Sequence, residues 1–468
     1  MTAKERLAIA PAVMPELDAA VRRRQMAEVA LGLTPEQARQ EARRCLNCPT
    51  RPCMQGCPVA IRIPDFLAAV ERGDNAAALA IIRENSLLPA ICGRVCPQER
   101  QCQARCTVGK LLGSVDRAVA IGAVERFVAD AAPAAPAPAA PARADAKRVA
   151  VIGSGPASLT CAADCARAGL KVTVFEAFHR LGGVLRYGIP EFRLPKRIVD
   201  RELAALAALG VGFVTDFVAG KTRSLAELKA DYDAVFIGTG AGLPKFMGIP
   251  GEELVGVFSA NEYLTRANLM RAYDEAHAVT PFYHARRVLV LGGGNVAMDS
   301  ARMALRLGAE QVTLMYRRSE AEMPARREEV AHARAEGVEL RLLANARRLL
   351  GDGHGRVVGA ECIRYELGAP DASGRRRPVP VAGGEFTLAA DAVVVAVGSG
   401  ANPLLSASES ALAVDERGHV RVDAATRMTS IPGVFAGGDI VLGAATVILA
   451  MGEGRAAARG IVEYLREG

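Results

Sequence analysis

The chain has 468 residues, half of them hydrophobic, with 46 glycines and no tryptophan. That length accommodates about three domains with sizeable cores. The net charge of +7 is mild for this size and no DNA- or RNA-binding motif is present, so no nucleic-acid partner is expected.

Met1-Thr-Ala-Lys-Glu-Arg leads into no apolar signal-type stretch. No run approaches the roughly 20 apolar residues of a membrane span. A cytoplasmic protein without a membrane segment is expected, and its 11 cysteines then need a role other than disulfides. The arginine runs at 22–24 and 375–377 read as solvated faces or loop tips.

Residues 1–44 are polar and helical in pattern, and Thr34-Pro35-Glu36-Gln37 reads as a capping box that starts a helix toward Arg44. Eight cysteines follow between 45 and 106, as Cys45-x2-Cys48-x4-Cys53-x3-Cys57-Pro and Cys92-x3-Cys96-Pro-x4-Cys102-x3-Cys106. Short spacings closed by proline point to iron–sulfur ligation, because soft, negative thiolates on short loops present several sulfurs to one point. Structural zinc favours more even pairs. Eight cysteines match two four-iron clusters, but spacing alone does not assign each sulfur.

Between the two sets, residues 64–85 read as helical, with Phe66, Leu67, Val70, Leu79, Ile81 and Ile82 on the apolar face. Residues 115–130 are helix-like. The Ala/Pro run that follows reads as a semi-rigid spacer.

Arg148-Val-Ala-Val-Ile-Gly153-Ser-Gly155-Pro-Ala-Ser158 is a strand, a glycine turn and a helix start, the entry to a dinucleotide-binding βαβ unit. Gly153 permits the turn, and Gly155 lets the backbone approach a pyrophosphate seated on the helix N-terminus. Ser158 replaces the usual Gly or Ala, so looser helix–strand packing is expected there. The next strand ends in Glu176, 23 residues past Gly153, where an acid binds a ribose hydroxyl. The module reaches Asp233-Ala-Val-Phe-Ile-Gly-Thr-Gly240.

A second module runs from Arg287-Val-Leu-Val-Leu-Gly292-Gly-Gly-Asn-Val-Ala-Met298 to Asp391-Ala-Val-Val-Val-Ala-Val-Gly398. It reads as an insertion in the first module, which resumes around Pro432-Gly-Val-Phe-Ala-Gly-Gly-Asp439. Its second strand, Gln311–Tyr316, ends in Arg317-Arg318 rather than an acid. Guanidinium there accommodates a 2′-phosphate, so NADP(H) is expected over NAD(H). Cys161 and Cys165 on the first helix, and Cys362, read as small core residues rather than a redox pair. No acid–base constellation is evident, and the chemistry is left to cofactors.

Cys92-Gly-Arg-Val-Cys-Pro-Gln-Glu, Ala120-Ile-Gly-Ala-Val-Glu-Arg-Phe, Leu181–Lys196, Gly292–Asp299 and Ala436-Gly-Gly-Asp439 together resemble the small-subunit family of glutamate synthase over essentially the whole chain. The large subunit of a bifurcating ferredoxin:NADP transhydrogenase and the N-terminal half of dihydropyrimidine dehydrogenase resemble it too.

The resemblance implies an α/β body, a glutathione-reductase-like pair of Rossmann-type domains, preceded by a mainly α-helical iron–sulfur domain. The expected units are 1–130 for the clusters, 131–146 for the linker, 147–244 and 396–468 for FAD, and 245–395 for NADPH. It implies FAD at Gly153, Gly155, Pro156, Ala157, Glu176, Gly183, Leu185, Gly188, Gly438, Asp439 and Thr446. It implies NADPH at Gly292, Gly293, Gly294, Asn295, Val296, Arg317 and Arg318.

Two [4Fe-4S] clusters are implied, one on Cys45, Cys48, Cys53 and Cys106, the other on Cys57, Cys96, Cys102 and Glu125, with Cys92 spare; simple counting would use Cys92 in place of Glu125. The implied partner is a larger FMN-containing subunit that makes glutamate from glutamine and 2-oxoglutarate. Alternatives are a small flavin and iron–sulfur subunit, ferredoxin, or stand-alone reduction of the sulfide dehydrogenase kind, and an oligomer is expected.

Overall fold

The computed structural model describes residues 1–131, 145–371 and 374–467. The spacer expected at 131–146 lies almost wholly outside these residues.

The first 44 residues are less helical than expected. They form three short helices, Ala3–Ala8, Ala19–Arg22 and Pro35–Arg43, joined by extended chain. Pro11 and Pro15 lack the amide that would continue a helix, and Glu16 instead pairs with Ala30 in an isolated antiparallel bridge. The Thr34–Gln37 capping box forms in both directions. The helical stretch 64–85 is broken by Gly73, at φ +83°, into Ile63–Glu71 and Asn75–Arg83. The Asp74 carboxylate caps the second helix by accepting from the Ala77 amide at 2.9 Å. Phe66, Leu67, Val70, Leu79 and Ile82 are buried together against the cysteine helices, while Ile81 is only half-buried.

The body holds two parallel five-stranded sheets. The first contains β1 (Arg148–Ile152), β2 (Lys171–Phe175), β3 (Gly212–Val214) and β4 (Ala234–Ile237). The chain then leaves through β5 (Leu243–Pro244) and builds β6 (Val257–Ser259), β7 (Arg287–Leu291), β8 (Gln311–Tyr316) and β9 (Glu339–Leu342). An antiparallel sheet of β10 (Ala344–Gly351), β11 (Val357–Pro370) and β12 (Arg376–Ala389) precedes β13 (Ala392–Val395). The chain returns through β14 (Ser399–Gly400), and β15 (Val434–Ala436) completes the first sheet.

The strand orders are β15-β4-β1-β2-β3 and β6-β13-β7-β8-β9. The outgoing and returning chains pair with each other as β5 and β14. Central strands β1, β4, β7 and β13 are near-continuous apolar runs because parallel sheets are covered on both faces. Register aligns the turns: Ile152 faces Phe175 and Ile237, and Leu291 faces Met315 and Val395. Each sheet therefore ends its strands, and opens its glycine-turn helix, at one edge.

Among the described residues no helix is long and apolar enough to cross a membrane.

The last helix, Val447–Glu467, crosses the first Rossmann helix, Pro156–Arg167, at backbone contact. A Cβ on Gly454 would sit 2.0 Å from the Ala157 carbonyl oxygen, whereas one on Gly452 meets nothing nearer than 3.6 Å. Gly454→Ala is therefore expected to destabilise by about 1–3 kcal/mol through overpacking. Gly452→Ala is expected to be neutral or to stabilise by roughly 0.5–1 kcal/mol. Thermal unfolding of both variants checks this, and a Gly454→Ala protein melting with wild type refutes the close-approach constraint.

Candidate functional site

Both strand-end edges open onto one cavity of about 1210 Å³. At its first end Gly153 turns at φ +90°, and a Cβ there would lie 2.6 Å from the Gly238 oxygen. Only glycine satisfies both demands. A Cβ on Gly155 would meet nothing within 4 Å, so the space beside it is open at the N-terminus of Pro156–Arg167. Such a helix start favours an anion.

Ser158 does not loosen the packing as expected. It is fully buried, and its hydroxyl lies 3.3 Å from the Gly238 oxygen and 3.4 Å from the Ile152 oxygen. Glu176 accepts from the Ser154 amide and hydroxyl and from the Phe178 amide, which aims the carboxylate along the cavity wall.

Gly183 closes over the first turn, where a Cβ would come within 2.9 Å of Gly155 Cα. In the short helix that follows, Val184, Tyr187 and Gly188 share the cavity face, as helical spacing requires. Leu185 points the other way and is fully buried in the core shared with the cysteine domain; it does not line the cavity. Gly438 likewise stands behind the wall, close to Ala157, while Gly437 and Asp439 face the cavity.

The Asp439 carboxyl is pushed up to about 6 by burial. The Tyr187 phenol is pushed up to about 12 by burial and by Asp439 and Glu176. Pro156, Ala157 and Thr446 complete this end, and the Thr446 hydroxyl accepts from Gln101 of the cysteine domain at 3.4 Å.

At the second end Gly292, Gly293, Gly294, Asn295 and Val296 form the turn, and Arg317 and Arg318 line the wall after β8. The two arginines are not equivalent. Arg318 is buried, donating to the Arg376 oxygen at 2.8 Å and pairing with Asp371 at 2.9 Å. Arg317 is exposed and makes no hydrogen bond or ion pair among the described residues. Arg375 and Tyr365 also reach this wall. They come from the β11–β12 hairpin, too far along the chain for motif spacing to reveal.

The eight cysteines separate into two groups that cross the two sequence sets. Cys45, Cys48, Cys53 and Cys106 line one small cavity with Ile63, Leu67 and Val108. Burial, then the neighbouring thiols, pushes Cys53 up to about 12; burial likewise pushes Cys45 up to about 11, with Cys106 and Cys48 adding to it.

Cys57, Cys96 and Cys102 act on one another and share Glu125 as a neighbour. Glu125 is fully buried. Its Oε1 has no hydrogen-bond partner among the described residues, and burial alone pushes the carboxyl up to about 8. Cys92 is buried beside the same group: its thiol bonds with Cys96 and has Glu125 and Cys57 as neighbours, and its sulfur also lies 3.6 Å from Met451 Sδ. Soft thiols around an unpartnered carboxyl group, with no basic group bonded to it among the described residues, suit a buried cationic iron centre. Val95 and Pro97, either side of Cys96, stand in the wall of the large cavity. Cys161, Cys165 and Cys362 are core residues.

Residues 22–136 match the dihydropyrimidine dehydrogenase domain II, 4Fe-4S cluster family, and residues 147–454 match the pyridine nucleotide-disulphide oxidoreductase family. The glutamate synthase [NADPH] small chain of Halomonas elongata is 40% identical over 454 residues, 96% of this chain and 95% of that one. The chain belongs to the glutamate synthase small-chain family.

The Escherichia coli member is 36% identical, covering 96% of each chain. The NADP(+)-dependent formate dehydrogenase subunit beta of Moorella thermoacetica is 43% identical over 90% of this chain, which spans 60% of that protein. FprA from Mycobacterium tuberculosis in complex with NADPH shares the fold, with a TM-score of 0.58 at 20% identity over 69% of this chain and 85% of its own. This small-chain homologue is thus an oxidoreductase of the FAD, NAD(P)H and iron–sulfur type.

Proposed function

We propose that this chain is the electron-delivering subunit of a glutamate synthase-type enzyme, taking electrons from NADPH and passing them to a partner that makes glutamate from glutamine and 2-oxoglutarate. The observation that carries this reading is the shared cavity. Two glycine turns face each other across it, and the loop bearing Cys96 forms part of its wall.

In this reading Gly153, Gly155, Pro156, Ala157 and Thr446 seat FAD, with Glu176 at its ribose and Asp439 at its ribityl chain. Gly183, Gly188 and Tyr187 border the ring. Gly292, Gly293, Gly294, Asn295 and Val296 seat NADPH, with Arg317 on the 2′-phosphate. Arg318 braces the hairpin beside it. FAD, when bound, supplies the exchange between a hydride donor and one-electron carriers. Cys57, Cys96, Cys102 and Glu125 hold the [4Fe-4S] cluster nearer the flavin. Cys45, Cys48, Cys53 and Cys106 hold the one nearer the partner, where Cys45 and Cys48 are only half-buried.

Anaerobic purification from the native host, with the co-purifying chain weighed and its cofactors identified, tests the proposal. A very large FMN-containing partner is expected. A small flavin and iron–sulfur partner would make the chain a transhydrogenase subunit, and no partner would make it a stand-alone NADPH reductase.

Two substitutions test the sites. Losing a charge-assisted phosphate contact costs about 1.5–3 kcal/mol, so Arg317→Ala is expected to raise KM for NADPH roughly 10–100-fold with little change for NADH. Equal losses for both nucleotides contradict the assignment. Glu125→Ala is expected to alter the spectrum and potential of one cluster, while Cys92→Ala leaves iron content and both signals unchanged. The reverse pattern would make Cys92 the ligand.

A further inference from the structure

Residues 323–327 of the nucleotide domain form a strap between the second glycine turn and the cysteine loop. On one side the Ala325 amide donates to the Gly293 oxygen at 3.2 Å, and the Arg326 amide donates to Asn295 Oδ1 at 2.9 Å. Pro324 stands beside Gly294 in the cavity wall. On the other side Arg100 donates to the carbonyls of Met323, Pro324 and Ala325 at 2.7–3.2 Å, and the Arg327 amide donates to Glu99.

The Arg326 side chain crosses the boundary. It is buried, donates to the Arg94 oxygen at 2.8 Å and to Gln98 Oε1 at 3.2 Å, and pairs with Glu328 at 2.6 Å. Arg94 and Gln98 lie two residues either side of Cys96. Gln98 also packs against Gly122, one turn before Glu125 on the same helix.

We infer that Arg326 is a positioning residue that couples nucleotide binding at Gly293–Asn295 to the electron affinity of the centre held by Cys57, Cys96, Cys102 and Glu125. The inference rests on the ligand assignment proposed above. A nucleotide seated on the turn holds the 325–326 bonds and keeps the guanidinium against the Cys96 loop. A positive charge held there, in a site screened from water, favours the reduced and more negative centre. The coupling is reciprocal, so reduction of the centre tightens nucleotide binding by the same factor. The strap thereby matches loading of the nucleotide site to readiness of the centre that receives electrons.

The test is an anaerobic redox titration of the holoenzyme followed by electron paramagnetic resonance, with and without saturating NADP+. In wild type the midpoint of this centre is expected to rise on NADP+ binding, equivalent to about fivefold tighter NADP+ binding once the centre is reduced. In Arg326→Gln the midpoint is expected to be lower, and the NADP+-dependent rise to be lost, with iron and FAD content retained. Arg326→Lys, which keeps the charge, is expected to recover most of the midpoint.

A wild-type midpoint that NADP+ does not move, or an Arg326→Gln enzyme whose midpoint and shift equal wild type, overturns the inference. If Arg326→Gln does not fold, the wild-type titration and Arg326→Lys decide it. Iron analysis finding a single cluster per chain overturns the ligand assignment, and the inference with it.

Discussion

Buried guanidinium groups hold the junction on which every other feature of this structure depends. Arg193, from the first Rossmann domain, pairs with Asp299 at 2.6 Å and with Glu329 at 2.9 Å of the inserted domain. Arg302 and Arg306 both pair with Glu336, and Arg22 from the N-terminal arm joins them at 3.2 Å. Arg94 holds Glu28 and Asp130 at 2.7 Å each beside the cysteine loop. Such pairs add little net stability, because desolvation offsets the attraction. Breaking one leaves a buried charge, at a cost of about 3–5 kcal/mol. Their effect is therefore to make one arrangement of three bodies far better than its neighbours.

That arrangement matters because the cavity belongs to no single domain. Each Rossmann sheet presents a glycine turn and a helix N-terminus, and the cysteine domain contributes Val95 and Pro97 to the wall between them. A small rotation of any body would separate the turns from each other or from the Cys96 loop. The N-terminal arm reinforces the alignment. Val29 sits in the core of the inserted domain, and its amide donates to the Phe192 oxygen at 3.0 Å.

Within each body the site is built by removing atoms as much as by placing them. At Gly153 and Gly292 a Cβ would strike the carbonyl of a neighbouring strand end, at 2.6 and 2.4 Å. At Glu125 the arrangement is the opposite: a carboxyl group is buried, and its Oε1 has no partner among the described residues. An unpaired buried oxygen is costly unless something binds it. The proposed oxygen ligand to the second sulfur group rests on this orphaned oxygen.

Both glycine turns, the Arg317-Arg318 pair, the two cysteine sets and the Thr34 capping box were legible in the sequence, because each is set by local spacing. Strand ends, caps and ligand loops depend on residues a few positions apart, and the chain carries that information directly. Tertiary structure decided what spacing cannot reach. It turned Leu185 inward and Val184 and Tyr187 toward the cavity, and it buried Arg318 on Asp371 while Arg317 has no partner among the described residues. It crossed Cys106 to the first cysteine set and Cys57 to the second, and set Cys92 between Cys96 and Met451. Those outcomes rest on contacts between residues tens to hundreds of positions apart, where packing and the cost of burying charge choose among partners that local pattern leaves equivalent.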